Sequence, residues 1–318
     1  MIKIKEQTSP LMVTVRCITY NHESYIRQCL EGFVMQETTF SFEVIVHDDA
    51  STDGTAAIIR EYAEKYPDII RPIFEIENQY SKHDGSIKRI LDENTHGKYV
   101  TTCEGDDYWI DPLKLQKQVD FLEAHENYGL VHTFAKMWIQ KENRISKNLI
   151  GEYFNDIDDL IISNRIITAT TCIRTSLYKS YDIINPSWKM GDYPLWLYIV
   201  GKSKVHFINE CTTVYRVLEN SVSHSIDCRR MIDFYLSANS ISKYFAEYYK
   251  KSYLYRSIDK MSAYGIVSLR AKHPNCCTLK DIIKYFGVRS LSLKLLILYI
   301  LTSFSHGRLF LVKKWNYG

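Results

Sequence analysis

The sequence lacks the short motifs by which many common enzyme families are identified. No glycine-rich dinucleotide fingerprint follows the first apolar run, and no glycine-rich loop ending in lysine occurs anywhere in the 318 residues. None of the eight cysteines forms a CxxC pair, and the ligand spacing of a zinc site is missing. These absences disfavour a dinucleotide cofactor and a zinc module, and they exclude the common P-loop ATPases.

The sequence also has no apolar run of the length that crosses a bilayer. The charge-free stretch 295–307 is shorter than the ~20 apolar residues of a spanning helix. The charged residues at positions 3–6 are not followed by the apolar segment of a signal peptide, and no Asn-x-Ser/Thr sequon occurs. Most cysteines stand in apolar runs, as reduced buried thiols do. We therefore predict a cytoplasmic protein.

The net charge is small, but the charged residues are unevenly placed along the chain. The formal net charge is +3, yet residues 250–318 contain 13 Lys and Arg against two Asp and Glu. An acidic body with a basic tail argues against a nucleic-acid partner. The apolar stretch of the tail has three interpretations: a helix in the core of a bundle, a helix held on an anionic membrane by its basic residues, or, least favoured, a spanning helix. The second would make the protein peripheral on the inner face of the plasma membrane.

Strand-like and helix-like segments alternate in the first part of the chain. Period-two and buried apolar runs predict strands over residues 11–19, 42–47, 69–76 and 98–103. Helical stripes lie between them over residues 24–36, 53–66 and 84–93. This spacing predicts right-handed crossovers and an α/β fold with a doubly wound, mostly parallel sheet.

The second half of the chain has a less regular pattern. It predicts a strand over 130–138, a long polar loop over 140–164, a helix over 192–200 and a strand over 204–217. From residue 227 onward the pattern is entirely helical. We therefore predict two domains, residues 1–225 as the catalytic domain and residues 226–318 as a basic helical region.

Acidic residues follow the ends of two predicted strands. Asp49 comes after the second strand, and Glu104, Asp106 and Asp107 come after the fourth. Ligands of open parallel sheets bind beyond these strand ends, where crowded carboxylates need a cation to offset their repulsion. Oxygen ligands suit Mg²⁺ or Mn²⁺ with a diphosphate. The alternatives are a solvated acidic turn for the later cluster and an Asx turn for Asp49.

These segments resemble the ordered motifs of family 2 glycosyltransferases. The motifs are Thr19-Tyr20-Asn21, Asp48-Asp49-Ala50-Ser51-Thr52-Asp53-Gly54 and Glu104-Gly105-Asp106-Asp107-Tyr108-Trp109. The resemblance extends from about residue 10 to residue 225 and implies the GT-A fold. It also implies an enzyme of the kind that builds bacterial surface polysaccharides.

The resemblance assigns donor-binding positions to five residues of this sequence. They are Thr19, Tyr20, Asp49, Glu104 and Asp106. Tyr20 would stack on the nucleotide base and Asp49 would hydrogen-bond to it. Asp106 matches the central acid of the Asp-x-Asp-type motif, and Asp107 matches a position that meets the metal in some members. Glu104 stands where the first Asp of the motif is usual.

Two further sites follow from the resemblance. Asp192, in Met190-Gly191-Asp192-Tyr193-Pro194-Leu195-Trp196, matches the catalytic base. Read from the residues alone, this carboxylate before an apolar helix is either a base at a pocket lip or an N-cap. His224 lies in a segment resembling the one that closes the family's active site, and is either a third metal ligand or a surface histidine.

The sequence thus predicts an inverting glycosyltransferase of the hexosyltransferase type that depends on Mn²⁺ or Mg²⁺. Its donor would be a nucleoside diphosphate sugar, with UDP-sugars the favoured class, and its acceptor a glycan or lipid-linked hydroxyl. Two other functions stay open. One is a sugar-1-phosphate nucleotidyltransferase, although the basic glycine-rich loop typical of it is missing. The other is a non-catalytic scaffold with a degenerate glycosyltransferase domain.

Overall fold

A nine-stranded sheet flanked by helices forms the body of the protein. The computed structural model describes residues 10–218, 227–305, 307–308 and 311. The strands are β1 (Leu11–Thr19), β2 (Ser41–Asp48), β3 (Ile70–Phe74), β4 (Tyr99–Thr102), β5 (Tyr108–Trp109), β6 (Tyr128–Ile139), β7 (Arg144–Ile150), β8 (Cys172–Arg174) and β9 (Lys204–Val217). The helices are α1 (Ile26–Val34), α2 (Thr55–Lys65), α3 (Ser86–Glu93), α4 (Lys114–Ala124), α5 (Ile157–Ile162), α6 (Thr175–Lys179), α7 (Asp192–Val200), α8 (Cys228–Tyr248), α9 (Tyr255–Ser268), α10 (Leu279–Phe286) and α11 (Leu293–Ser303).

The strand order is β3-β2-β1-β4-β8-β6-β9-β5, with β7 paired to β6. The half that contains β1 to β4 is parallel throughout. β8 is antiparallel to both of its neighbours, and β6 and β9 are parallel again. The predicted α/β fold with C-terminal helices is confirmed. The order reverses between β1 and β4, which places a topological switch point there.

Two apolar cores cover the two faces of the sheet. Alternate residues of β1, namely Val13, Val15 and Cys17, pack with α1, α2 and α4 on one face. Helices α5, α7 and α8 pack on the other face, over β4, β6 and β8. Sheets buried on both faces require such apolar runs, which explains why the strands were readable from the sequence. All eight cysteines are free thiols.

The region predicted as a long loop contains two regular elements. β7 and α5 lie within residues 140–164, and β7 pairs with β6 in an antiparallel hairpin. The polar, outward-facing residues of β7 obscured its alternation. The short strands β5 and β8 were not predicted either, because two or three residues carry no readable period and depend on partners distant in sequence.

The C-terminal helices form a third core. Helix α8 contributes Ile241 and Phe245 to the core over the sheet and Ile232 to the core shared with α9, α10 and α11. The predicted boundary near residue 225 lies outside the described residues, so the division into two domains stays a prediction. Across the described residues, none of the helices is both long and apolar enough to cross a membrane.

Candidate active site

The predicted site segments meet at the carboxyl edge of the parallel strands. The main-chain N–H of Asp49 donates to the carbonyl of Thr19 at 2.9 Å. The N–H of Gly105 donates to the carbonyl of Ile18, also at 2.9 Å. The loops after β2 and β4 are therefore fastened to the end of β1 from either side, at the switch point where such sheets bind ligands.

Asn21 joins the loops after β1 and β2. Its φ of 54° lies in the left-handed region, which asparagine tolerates better than most residues. Its N–H donates to Ser51 Oγ at 2.9 Å, and its Oδ1 accepts from the N–H of Thr52 at 2.8 Å. Sequence reasoning gave Asn21 no role of its own; its place after the first strand was the only signal.

Asp49 organises a loop beyond β3. Its side chain is 1% exposed, and its two carboxylate oxygens accept from the N–H groups of Gln79 at 2.7 Å and Tyr80 at 3.0 Å. The Asx-type contact considered for Asp49 belongs to its neighbour, since Asp48 Oδ1 accepts from the N–H of Ser51 at 3.3 Å. The predicted hydrogen bond from Asp49 to a nucleotide base stays a prediction.

Tyr20 follows β1 directly, and its ring is partly exposed to solvent. Its side chain is 45% exposed, beside the loop that follows β2. An exposed aromatic ring at a switch point can stack on a flat heterocycle. Its predicted contact with the nucleotide base stays a prediction.

The acidic loop (residues 104–107) is packed tightly against the end of β1. A Cβ added at Gly105 would lie 2.7 Å from Thr19 Oγ1 and 3.0 Å from His22 Nδ1. Only glycine therefore permits this approach, and it brings the neighbouring acids over the β1 end. The sequence showed the glycine but not what it touches.

Arg216, from β9, holds the acidic loop from the other side. Its N–H donates to Asp107 Oδ1 at 2.7 Å, and its Nε donates to the carbonyl of Asp106 at 2.7 Å. The remaining guanidinium nitrogens donate to Gln28 and Gln140. Arg216 therefore has a structural role in the described residues, and its guanidinium donors are committed to protein groups.

Three buried polar atoms at the switch point have no hydrogen-bond partner among the described residues. They are Asp106 Oδ1, Thr19 Oγ1 and His22 Nδ1. Burial lowers the pKa of His22, although Asp106 and Asp53 act in the opposite direction. Unsatisfied polar atoms gathered in one place are unfavourable unless something binds there. Their position indicates a polar ligand at this edge of the sheet.

Glu104 shares its electrostatic environment with Asp106 and Asp192. Part of its side chain is exposed to solvent. Desolvation by the surrounding protein atoms raises the pKa of Glu104 to about 7, and repulsion from Asp106 and Asp192 contributes to this increase. Burial and repulsion from Asp106 raise the pKa of Asp107 well above its ordinary value. The negative charges of these carboxylates therefore lie close together, and the positive charges near them do not fully compensate their repulsion.

Replacing Glu104 by glutamine is expected to raise the thermal unfolding temperature of the free protein at pH above 7. The folded-state pKa is raised from 4.5 to about 7, so wild-type stability falls as pH rises through that window. Below pH 4.5 the difference between Glu104→Gln and wild type should vanish. Calorimetry across this range, with Glu64→Gln on the exposed side of α2 as control, measures it. A difference in unfolding temperature between Glu104→Gln and wild type that is equal at every pH would contradict the repulsion assigned to the Glu104 carboxylate.

Asp192 is the first residue of α7 and faces the acidic loop. Its Oδ1 accepts from the N–H of Tyr193 at 2.7 Å, and its Oδ2 accepts from Thr168 Oγ1 at 3.0 Å. Gly191, not Asp192, occupies the N-cap position, so capping does not account for this acid. Desolvation raises the pKa of Asp192, while the Thr168 hydrogen bond opposes the increase. The arrangement suits a carboxylate that accepts a proton.

The turn that carries Thr168 is fixed by residues from two elements, β5 and α4. Ala169 O accepts from Trp109 Nε1 at 2.9 Å, and Thr170 O accepts from Gln118 Nε2 at 2.8 Å. Trp109 is the last residue of the motif and lies two residues after the acidic loop, so its side chain links this segment to the turn behind Asp192. Sequence reasoning missed Thr168 as a site residue, because its contact spans 24 residues and has no motif.

His224, considered above as a third metal ligand or a surface histidine, falls outside the described residues, and its predicted contact with a metal stays a prediction. Two basic residues of α3, Lys88 and Arg89, are paired with Asp92 and Asp84.

The donor set fits a divalent cation that takes part of its ligands from a diphosphate. Among the described residues, no three or more His, Cys, Asp or Glu side chains are grouped to hold a metal by themselves. Mg²⁺ in nucleotide sites needs only one or two protein carboxylates beside phosphate oxygens. Asp106, with its buried unpartnered Oδ1, and the adjacent Asp107 provide such carboxylates.

Comparison with known proteins decides the family. The family described as Glycosyl transferase family 2 matches residues 14–180, more than half of the chain. The chain belongs to glycosyltransferase family 2. The matched residues include Thr19, Tyr20, Asp49 and the acidic loop, whereas Asp192 lies beyond them.

Sequence relatives within this family come from several bacteria. The uncharacterized protein Rv1520 of Mycobacterium tuberculosis is 35% identical over 215 residues, which are 67% of this chain and 61% of the relative. The Escherichia coli protein WfaP, named as a UDP-Glc:alpha-D-GlcNAc-diphosphoundecaprenol beta-1,3-glucosyltransferase, is 25% identical over 213 residues, 67% of this chain and 80% of WfaP. The chain therefore spans about three fifths of the length of the mycobacterial relative.

Solved structures of other glycosyltransferases share the fold. Staphylococcus aureus TarS 1-349 in complex with UDP-GlcNAc has a TM-score of 0.61 at 17% identity, over 94% of this chain and 88% of TarS 1-349. The Pyrobaculum calidifontis mannosyltransferase PcManGT in complex with GDP-Man and Mn²⁺ has a TM-score of 0.57 at 15% identity, over 98% and 91% of the two chains. The predicted GT-A fold of a family 2 glycosyltransferase is confirmed.

Proposed function

We propose that this protein transfers a sugar from a nucleoside diphosphate donor, with UDP-sugars as the donor class, to a hydroxyl of a glycan or lipid-linked acceptor in surface polysaccharide synthesis. The observation that carries the proposal is the convergence of Glu104, Asp106 and Asp192 at the switch point. The names of WfaP, with its UDP-Glc donor and lipid diphosphate acceptor, and of TarS with UDP-GlcNAc support the donor and acceptor classes.

Asp192 would act as the general base. Its carboxylate takes the proton of the acceptor hydroxyl while the hydroxyl oxygen forms a bond to the anomeric carbon of the donor. The bond from that carbon to the diphosphate oxygen breaks on the opposite face, so the anomeric centre is inverted in one displacement. The raised pKa of Asp192 improves it as a base, because proton transfer is most effective when the pKa is closer to the operating pH.

Asp106 and Asp107 would hold a divalent cation, Mn²⁺ or Mg²⁺, together with the donor diphosphate. When bound, the cation supplies positive charge that offsets the negative charge on the departing diphosphate. The Mn²⁺ in the PcManGT complex supports a cation in this fold. Thr19 and Tyr20 would contact the nucleotide from the end of β1, and Asp49 would do so from β2.

Thr168→Val is expected to shift the acidic limb of the rate profile to higher pH by about one unit. The Thr168 hydroxyl stabilises the ionised form of Asp192, and a hydrogen bond to a charged group contributes about 1.5–3 kcal/mol. The measurement is initial rate against pH for wild type, Thr168→Val and Thr168→Ser. The serine variant keeps a hydroxyl and should keep the wild-type profile; an unshifted valine profile would contradict the role of Thr168.

The donor class is tested by a thermal-shift panel of UDP, GDP, dTDP and CDP sugars, each with and without manganese. A ligand that binds the native state at 100 times its dissociation constant stabilises it by about 2.7 kcal/mol. We expect the largest shift for a UDP-sugar with manganese, and its loss when the metal is chelated. Equal shifts with and without metal would contradict the role given to the acidic loop.

A product assay separates the proposal from its alternatives. A transferase hydrolyses or transfers its UDP-sugar and releases UDP. A sugar-1-phosphate nucleotidyltransferase would instead consume a nucleoside triphosphate and release pyrophosphate. A scaffold protein would do neither, even with manganese and lipid-linked or glycan acceptors present.

The proposal also includes a location. Acceptors of surface polysaccharide synthesis are often lipid-linked, so the enzyme would work in the cytoplasm in peripheral contact with the inner face of an anionic membrane. The basic composition of residues 250–318 supports this contact.

A further inference from the structure

Helix α11 has an apolar face that the rest of the described chain does not cover. Leu295, Leu298 and Thr302 are buried against the third core. The opposite face exposes large apolar side chains at helical spacing: Leu293 (75%), Ile297 (48%), Ile300 (56%), Leu301 (37%) and, just past the helix, Phe304 (65%). A contiguous exposed apolar row of this kind marks an interaction surface, because scattered apolar residues would not share one face.

A basic recess lies just before this helix. It has a volume of about 810 Å³ and lies between the start of α9 and the turn Val288–Ser290. Arg256 and Arg289 line it, and neither guanidinium has a hydrogen bond or ion pair with a described residue. The acid of the recess, Asp259, is already paired with Lys243 Nζ at 2.7 Å. The recess therefore presents two uncompensated positive charges.

The recess and the apolar face belong to one continuous stretch. Val288 lines the recess and is 66% exposed, and α11 begins at Leu293, a few residues later. α11 packs on α9, the helix that carries Arg256, through its buried face. The turn Val288–Ser290 thus connects the cationic recess to the start of the helix that carries the apolar face.

Positive charges outnumber negative ones around this surface. Lys280, Lys284 and Lys294 are exposed on α10 and α11. Of the other nearby acids, Asp281 is occupied in the capping box of α10, Asp158 pairs with Lys251, and Glu247 accepts from the hydroxyl of Tyr255. Such a surface complements an anionic one. A second copy of this chain fits it poorly, since a symmetric dimer through this face would bring two basic recesses together.

We propose that the α11 face and the Arg256–Arg289 recess form a membrane-docking face for anionic phospholipid. The exposed side chains of α11 enter the boundary between head groups and acyl chains, and the two arginines bind the phosphate of a lipid head group. The inference rests on the proposed function for the lipid-linked acceptor and adds the surface that brings the enzyme to it.

The test is sedimentation of the full chain with vesicles, without donor or acceptor. One set of vesicles is phosphatidylcholine alone, and in the other set part of it is replaced by phosphatidylglycerol. Wild type should bind the second set preferentially. Arg256→Gln with Arg289→Gln should weaken binding to anionic vesicles about 25-fold, since each basic residue at such a surface contributes about fivefold. Ile297→Glu with Ile300→Glu should abolish binding to both sets.

Matched controls carry the same changes on the surface of the sheet domain. Arg71→Gln with Lys147→Gln removes two exposed charges, and Ile76→Glu with Ile184→Glu adds acids at two exposed apolar sites. Both controls should bind vesicles like wild type. Equal loss in the controls, or no binding by wild type, would overturn the proposal.

Two readouts separate this inference from other outcomes. Sedimentation velocity without vesicles detects self-association. If Ile297→Glu with Ile300→Glu lowers the oligomeric mass in solution and leaves vesicle binding intact, the face joins two copies of the protein and the proposal is wrong. UDP release from a UDP-sugar in solution reports on the catalytic site alone. Normal UDP release without vesicle binding would reject the docking face and the proposed membrane contact, and would leave the proposed sugar transfer standing.

Discussion

Asp192→Asn is expected to reduce sugar transfer by about 10²–10⁴-fold, the usual contribution of a positioned general base. Asparagine has nearly the same shape and can keep the contacts to Thr168 and to the N–H of Tyr193, but it cannot take up the proton of an acceptor hydroxyl. Donor binding should be nearly unchanged, because the acids proposed to meet the diphosphate lie on the loop after β4. The measurements are turnover with saturating donor and calorimetric affinity for UDP with manganese.

The matched control is Asp182→Asn, an exposed aspartate ahead of α7 whose side chain has no hydrogen bond or ion pair with a described residue. It removes the same charge and should leave both turnover and UDP affinity at wild-type values. Equal loss of UDP affinity and turnover in Asp192→Asn would show that Asp192 supports the donor site and does not act as the base.

Gly105→Ala is expected to lower turnover about 100-fold, the effect of displacing reactive groups by about 1 Å. The new methyl group would lie 2.7 Å from Thr19 Oγ1 and 2.8 Å from Thr19 Cβ, at the rigid end of a buried strand. The acidic loop must therefore move outward, away from the nucleotide side of the site. Overpacking of this kind also costs about 1–3 kcal/mol of stability. Turnover, UDP affinity with manganese and thermal unfolding measure the three effects.

Gly191→Ala is the control for the steric argument. A Cβ at Gly191 has no described atom within 4 Å, so its thermal stability should match that of wild type. If Gly105→Ala were as stable as wild type and bound UDP with unchanged affinity, the packing of the acidic loop on Thr19 would not position the donor site.

Repulsion between the acids of the site lowers the stability of the free protein, although the same acids are the ones expected to bind the ligand. Glu104, Asp107 and Asp192 all have a pKa above the ordinary value, which means that their ionised forms are disfavoured in the free protein. A bound cation would reverse the sign of the local field. The stability of the free protein is thus reduced where the ligand is expected to bind.

Part of the fold was predictable because its signals are local. Helix α7 and strand β9 have the predicted bounds, 192–200 and 204–217. Each is a long run with a strong pattern, and α7 is buried along most of its length. The strands of the parallel half were found for the same reason, since both of their faces are covered and their apolar runs are unbroken.

The contacts that position the site were not predictable. Thr168 lies 24 residues from Asp192, and Arg216 lies 109 residues from Asp107. β5 and β8 consist of two and three residues, too few for any period. Such contacts depend on which strands become neighbours, and pairing across the sheet leaves no mark in the sequence near either partner.

The sequence by itself determined which carboxylates stand at strand ends, because strand periodicity and the residues that follow each strand are adjacent in the chain. It also determined the family, through three motifs in order. Only the tertiary structure decided that Asp192 shares a field with Glu104 and that Gly105 seats the acidic loop on Thr19. The physical reason is that electrostatic repulsion and steric contact depend on distance in space, and the chain sets that distance only after the sheet has formed.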